Sequence, residues 1–192
     1  MCLNNIKNIL LQLAISFALY WIFVAPMYFL PQLKNSSITY LLFLPAGIKL
    51  FAVLIFRWRG ALGTGLAIFA RLMFTDSSQP LTSWLLAAAS VTLALYLVVE
   101  YGLKLMKVDR DLSNLQYYQI VVLATATSIV NGFVFAYVVS ALTIGQMSGG
   151  LFHSGFTTVM SNFAGNAIVV CLAMLIVKNK LIIINFIKGI KN

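Results

Sequence analysis

Few side chains in this sequence can carry chemistry, and the most unusual of them is a lysine inside an apolar run. Lys49 follows Pro45 and Gly47 in the stretch 39–56, TYLLFLPAGIKLFAVLIF. Within a bilayer, proline leaves a backbone carbonyl without its helical partner, and an ammonium group needs a partner, water or the headgroups. The pattern predicts either a ligand-binding or ion-pair site around Lys49 or a lysine whose side chain extends to the headgroups.

Glu100 is the one acid inside an apolar run, and it offers a partner to a buried cation. An ion pair with Lys49 would lower the cost of burying both charges. Glu100 also lies four residues before Lys104, a spacing at which two side chains meet on one helix face. The sequence leaves both pairings open. Arg71 is predicted to extend its side chain outward, to pair with Asp76 or to bind an external anion.

Polar side chains also occur in the last two apolar runs. Asn162 and Asn166 are four residues apart and so share a helix face, and the preceding run offers Ser128 and Asn131. Amides buried in lipid require hydrogen-bond partners, so the two faces are expected to meet and to bond across. These side chains either join two helices or line a ligand site.

The composition is that of an integral membrane protein. Of the 192 residues, 61% are hydrophobic and only 9% are charged, whereas a soluble domain has about 25% charged residues. The apolar runs and their short loops leave no room for a soluble catalytic domain. The sequence also lacks a phosphate-binding loop, a zinc-protease motif and a nucleophile elbow. We therefore expect no enzymatic activity and no cofactor.

Metal and nucleic-acid binding are not expected either. His153 is the single histidine, and Cys2 and Cys171 are the only cysteines, so the sequence predicts no metal site. The net charge of +9 comes from basic residues at the ends of apolar runs. Membrane topology accounts for such residues, so the expected partner is the lipid bilayer and not nucleic acid.

The order of the apolar runs predicts an all-α integral membrane bundle of about six transmembrane helices, forming a single domain over residues 1–192. The predicted spans cover residues 8–30, 39–56, 61–74, 82–103, 117–144 and 154–177. The third span is short for a bilayer core of about 30 Å. It either crosses with Arg71 reaching outward or forms a re-entrant arm. Residues 178–192 alternate Lys with Leu, Ile and Phe and predict an amphipathic surface helix.

The distribution of positive charge predicts the orientation of the bundle. Lys and Arg cluster before the first span, after the second and fourth spans, and in the tail, whereas Lys34 alone lies on the opposite side. Cytoplasmic segments carry an excess of Lys and Arg. Six crossing spans with both termini in the cytoplasm satisfy this rule, and we therefore favour a third span that crosses.

Two short motifs resemble the first type of the MASE domains, which are bacterial membrane-associated sensor domains. Residues 44–49 (LPAGIK), followed by 56–60 (FRWRG), resemble that family's early proline-glycine turn and basic boundary. Residues 162–166 (NFAGN) look like its closing motif, with Asn166 where an acid is common. Family members usually have more spans than the six predicted here and carry an attached kinase or cyclase. The resemblance implies signal input at the bacterial inner membrane by a stand-alone module.

The sequence thus predicts a non-enzymatic membrane sensory or regulatory module. The residues expected to bind a ligand or transmit a signal are Pro45, Gly47, Lys49, Glu100, Ser128, Asn131, Asn162 and Asn166. A separate partner, such as a histidine kinase or diguanylate cyclase, would receive the signal. The sequence does not identify the stimulus, and a small-molecule ligand is one candidate. The alternative is a transport subunit similar to the S components of energy-coupling-factor transporters. Small residues in the third span, among them Gly63 and Gly65, would then dock on a membrane partner.

Overall fold

The structure, a computed structural model, describes residues 2–30, 40–75, 79–142 and 150–178. Its six helices are α1 (Cys2–Tyr28), α2 (Pro45–Phe56), α3 (Trp58–Thr75), α4 (Leu81–Leu105), α5 (Tyr117–Ala141) and α6 (Gly150–Lys178). Four of them, α1, α4, α5 and α6, are long and apolar enough to cross a membrane. The expected all-α fold is confirmed, and the chain is that of a membrane protein. The predicted tail helix lies beyond the described residues.

The second predicted span differs most from its prediction. The sequence suggested one helix over 39–56, broken near its centre, but α2 is a helix of only 12 residues that begins at Pro45. Proline is well placed in the first turn because the N–H that it lacks has no helical partner there. At about 1.5 Å per residue, α2 is about 18 Å long and is too short to cross a bilayer alone.

The helix α2 lies at the centre of the bundle. It packs against each of the other five helices, which follow one another around it in the order α1, α3, α4, α5 and α6. Most of its residues are buried, including Lys49. One apolar cluster surrounds its first turn at Ala46, and a second surrounds its later turns at Leu50 and Val53. Lys49 therefore lies between two apolar layers.

The non-helical segment 40–44 connects α1 with α6 across the start of α2. The Phe43 ring meets the Tyr20 ring of α1 edge-on at 6.5 Å, and the Phe43 N–H donates to the Ser161 carbonyl of α6 at 3.2 Å. Gly165 packs so closely on the Phe43 carbonyl that a β-carbon would overlap it. Irregular backbone is tolerated at membrane depth only where protein covers it or a cavity adjoins it. This segment meets that condition.

A tight turn joins α2 to α3 at Arg57, whose φ of 55° is positive. The Arg57 N–H donates to the Val53 carbonyl at 2.9 Å, and its own carbonyl accepts from the Ala61 N–H at 3.0 Å. A β-carbon on Gly60 would overlap the Ala52 carbonyl. The helix that follows this turn is longer than the predicted third span, 61–74. It is continuous over 18 residues, or about 27 Å.

We predict that Gly165→Ala destabilises the bundle, although alanine normally favours a helix by about 1 kcal/mol over glycine. The new methyl group meets the Phe43 carbonyl, which is backbone and cannot rotate away. Overpacking of this kind costs roughly 1–3 kcal/mol. Thermal unfolding in detergent measures the effect.

The matched control is Gly102→Ala, where a methyl group meets only the end of the flexible Leu123 side chain. The midpoint temperature of thermal unfolding should fall less in Gly102→Ala than in Gly165→Ala. Equal midpoints for the two variants would show that the approach of segment 40–44 to α6 is not tight.

Candidate functional site

Lys49 is held inside the bundle by the close approach of α2 to α6. A β-carbon on Gly47 would clash with the Val169 side chain of α6, so glycine is required for this distance. Lys49 follows within the same turn and is only 4% exposed. Its ammonium has no hydrogen bond and no ion pair with any described residue. The structure therefore places a buried cation at the predicted site of Pro45, Gly47 and Lys49, with no counterion among the described residues.

A second buried cation shares an aromatic ring with Lys49. The Lys49 Nζ lies 5.2 Å from the centroid of the Phe43 ring, and the Arg71 Cζ lies 4.8 Å from the same centroid. The Arg71 guanidinium also lies 5.5 Å from the Tyr40 ring centroid and donates to the Tyr20 hydroxyl at 3.5 Å. Aromatic faces attract cations more strongly where water is excluded.

These side chains surround a cavity of about 50 Å³ to which all six helices contribute. Its walls combine cationic, aromatic, amide, hydroxyl and aliphatic groups. The lining residues are Tyr20, Tyr40, Phe43, Lys49, Ile68, Arg71, Leu72, Val91, Asn131, Phe135, Thr158, Ser161 and Asn162. A ligand in this space would contact the central helix and each of its neighbours.

The predicted polar faces of α5 and α6 meet, and they divide into two parts. Asn166 donates to the Ser128 hydroxyl at 2.8 Å and to the Ala124 carbonyl at 3.0 Å. The expectation that these faces bond across is confirmed for this pair. Asn131 and Asn162 instead line the cavity, and the Asn131 side-chain oxygen is buried without a hydrogen bond from the described residues. One pair joins the helices, and the other faces the cavity.

Both predicted pairings of Glu100 are wrong. Its carboxylate lies 3.5 Å from the Arg57 guanidinium, and neither Lys49 nor Lys104 forms an ion pair with it. Arg57 is at the turn between α2 and α3, outside the apolar run, so its side chain reaches Glu100 without burying a full charge. Glu100 is therefore not part of the cavity. It connects the end of α2 to α4.

The prediction that Arg71 extends toward the membrane surface is also wrong. Arg71 is 5% exposed, and its side chain lies against Phe43 inside the bundle. Asp76, its other predicted partner, lies outside the described residues. The sequence identified Arg71 as a charge inside a predicted span. It did not predict the contacts with Tyr20, Tyr40 and Phe43, because aromatic residues are common throughout the chain.

The loop between α4 and α5 is ordered by its own hydrogen bonds and is tied to the α2–α3 turn. Arg57 donates to the Arg110 carbonyl at 3.1 Å. Asn114 accepts from the Asp109 N–H at 2.8 Å. The Ser113 N–H and hydroxyl both donate to Asp111 Oδ1, at 3.1 and 2.8 Å, and hold the pKa of this carboxyl below its usual value. The end of the central helix is thus connected to a structured charged loop.

A double-mutant cycle on Ser128→Ala and Asn166→Ala should give a coupling free energy of about 0.6 kcal/mol, the average for interhelical hydrogen bonds in membranes, and at most about 1.7 kcal/mol. Reversible unfolding in mixed micelles measures it. Thr125→Ala is the control partner for Asn166→Ala, because the Thr125 hydroxyl bonds only to the Val121 carbonyl of its own helix. A coupling as large with Thr125 as with Ser128 would contradict the assigned contact.

Comparison with known protein families, curated proteins and solved structures finds no match to this chain. The resemblance at residues 44–49 and 162–166 therefore stays a prediction. Proposals about function rest on the buried cations, the cavity that they line and the central helix that carries Lys49.

Proposed function

We propose that the chain is a non-enzymatic sensory or regulatory module of the bacterial inner membrane. It binds a small ligand in the cavity beside Phe43 and passes the change to a separate protein, such as a histidine kinase or a diguanylate cyclase. The observation that carries the proposal is the cavity itself, because it is lined by two buried cations and is contacted by all six helices.

The central position of α2 supports a signalling role. A ligand beside Lys49 would contact the first turns of α2, and the helix ends at Arg57, whose side chain bonds to Glu100 and to the Arg110 carbonyl. A change at one end of this 12-residue helix would therefore reach the charged loop at its other end. The loop exposes Lys107, Asp109 and Arg110, and it is the surface that we propose for the partner.

The transport alternative requires a small-residue face that is free to dock on a membrane partner. In α3 that face is used inside the bundle. A β-carbon on Gly63 would meet the Leu13 backbone and the Ser16 side chain of α1, and one on Gly65 would meet Thr92 of α4. Gly63 is buried against α1, whereas Gly65 contacts α4 and stays half-buried. Because α1 already occupies part of this face, the sensory function is favoured over an S-component-like subunit.

We further propose six membrane crossings with both termini in the cytoplasm, in which α2 crosses together with the non-helical segment 40–44 that precedes it. The α2–α3 turn and the α4–α5 loop carry basic residues and meet at Arg57, which supports their location on one side. Green fluorescent protein fused to either end should fluoresce, and periplasmic alkaline phosphatase fused to either end should be inactive. Opposite results at the two ends would rule out an even number of spans.

Replacement of Lys49 by Met should abolish the signalling response while leaving the protein in the membrane. Methionine is unbranched like lysine and shorter by one non-hydrogen atom, and it removes the charge that faces the cavity. Lys7→Met is the control, since Lys7 is exposed on α1. The response is measured as partner kinase or cyclase output, with uptake of small molecules followed in parallel.

Affinity purification in mild detergent, followed by mass spectrometry of proteins and small molecules, identifies the partner to be assayed. Unchanged output in Lys49→Met would remove Lys49 from the mechanism. Lost uptake with unchanged output would favour the transport subunit.

A further inference from the structure

We propose that the cavity beside Phe43 binds a small oxyanion, with a short-chain carboxylate such as acetate as the ligand that fits best. The inference deepens the proposed function and rests on it for the ligand's biological role. The anion site itself follows from the charge, the size and the polar groups of the cavity.

The charge of the cavity favours a negative partner. The Lys49 ammonium is 4% exposed and has no hydrogen bond or ion pair with a described residue. Glu100 is engaged by Arg57, and Asp109 and Asp111 are exposed in the α4–α5 loop. No carboxylate of the described residues therefore balances Lys49. Burying a cation in an apolar interior is costly unless a counterion accompanies it.

The arrangement of the two cations favours one shared anion. Lys49 and Arg71 both lie against the Phe43 ring, at 5.2 and 4.8 Å from its centroid. The ring attracts each cation and holds the two groups close to each other. A single anion near the ring would be attracted by both groups, and the attraction is strong where water is excluded.

The size of the cavity favours a small ligand. Its volume of about 50 Å³ exceeds the roughly 10–15 Å³ that a single buried water needs, so a molecule larger than water can enter. Formate, bicarbonate and acetate are small oxyanions that meet this condition.

The groups around the cavity favour an oxyanion over a halide. An ammonium and a guanidinium offer several N–H donors in different directions, which suits a ligand with two or more acceptor oxygens. The Tyr40 hydroxyl lines the cavity and is buried without a hydrogen bond from the described residues, so it offers a further donor. Aliphatic side chains such as Leu72 and Val91 form another part of the wall and suit the methyl group of acetate.

The test is isothermal titration calorimetry on the full chain in detergent, with formate, acetate, bicarbonate, phosphate and chloride as separate probes. Acetate or formate should bind more tightly than chloride. Lys49→Met should weaken binding by at least about tenfold, the size expected for a lost hydrogen bond to a charged group. Lys7→Met, with an exposed lysine, should bind as the wild type does.

A second variant tests the charge without removing a cation. Asn131→Asp places an internal carboxylate in the cavity with almost no change in shape. It should abolish anion binding and raise the thermal midpoint of the ligand-free protein, because the carboxylate provides the missing counterion. Wild-type affinity in this variant, or tight binding of chloride with none of the carboxylates, would overturn the proposal.

Failure of this inference is distinguishable from failure of the proposed function. If no anion binds but Lys49→Met still abolishes signalling, the sensory function stands and the oxyanion site is wrong. If acetate binds in a Lys49-dependent manner but output does not change, the site stands and the sensory function is wrong.

Discussion

Two cations held against one aromatic ring inside an apolar bundle set the constraint on which the rest of this structure depends. An ammonium and a guanidinium repel each other, and lipid would solvate neither. Protein must therefore surround them. The short α2 places Lys49 at the centre of the bundle, α3 carries Arg71, and the non-helical segment 40–44 places the Phe43 ring within 5.2 Å of the Lys49 ammonium and 4.8 Å of the Arg71 guanidinium.

The break before α2 allows this enclosure. Because the helix begins at Pro45, the chain before it is free to turn and to lay Phe43 and Tyr40 over the cavity. The contact of Gly165 with the Phe43 carbonyl and that of Gly47 with Val169 hold α6 against this region. The same short helix ends at Arg57, where a partly exposed ion pair and a backbone hydrogen bond reach the α4–α5 loop. The cavity and the charged surface are thus connected by one short helix.

Sequence patterns predicted the long helices and the polar face of α6, but they did not predict which side chains the charged residues contact. The long apolar runs identified α1, α4, α5 and α6, because continuous hydrophobicity is a local property. The spacing of Asn162 and Asn166 predicted a polar face, and Asn166 does bond to Ser128. Glu100 was predicted to pair with Lys49 or Lys104, but its carboxylate lies beside Arg57. The position of Arg57 depends on a turn with a positive φ, which the sequence pattern did not predict. Arg71 was expected to face outward because the aromatic residues that receive it come from distant parts of the chain.

A cryo-electron microscopy map of the protein bound to a rigid antibody fragment, prepared in acetate, tests the account most directly. The ends of the Lys49 and Arg71 side chains should both lie beside the Phe43 ring, with density for a small ligand between them. A map in which Lys49 points into the acyl chains, or in which the space between the two cations is filled by a protein side chain, would contradict it.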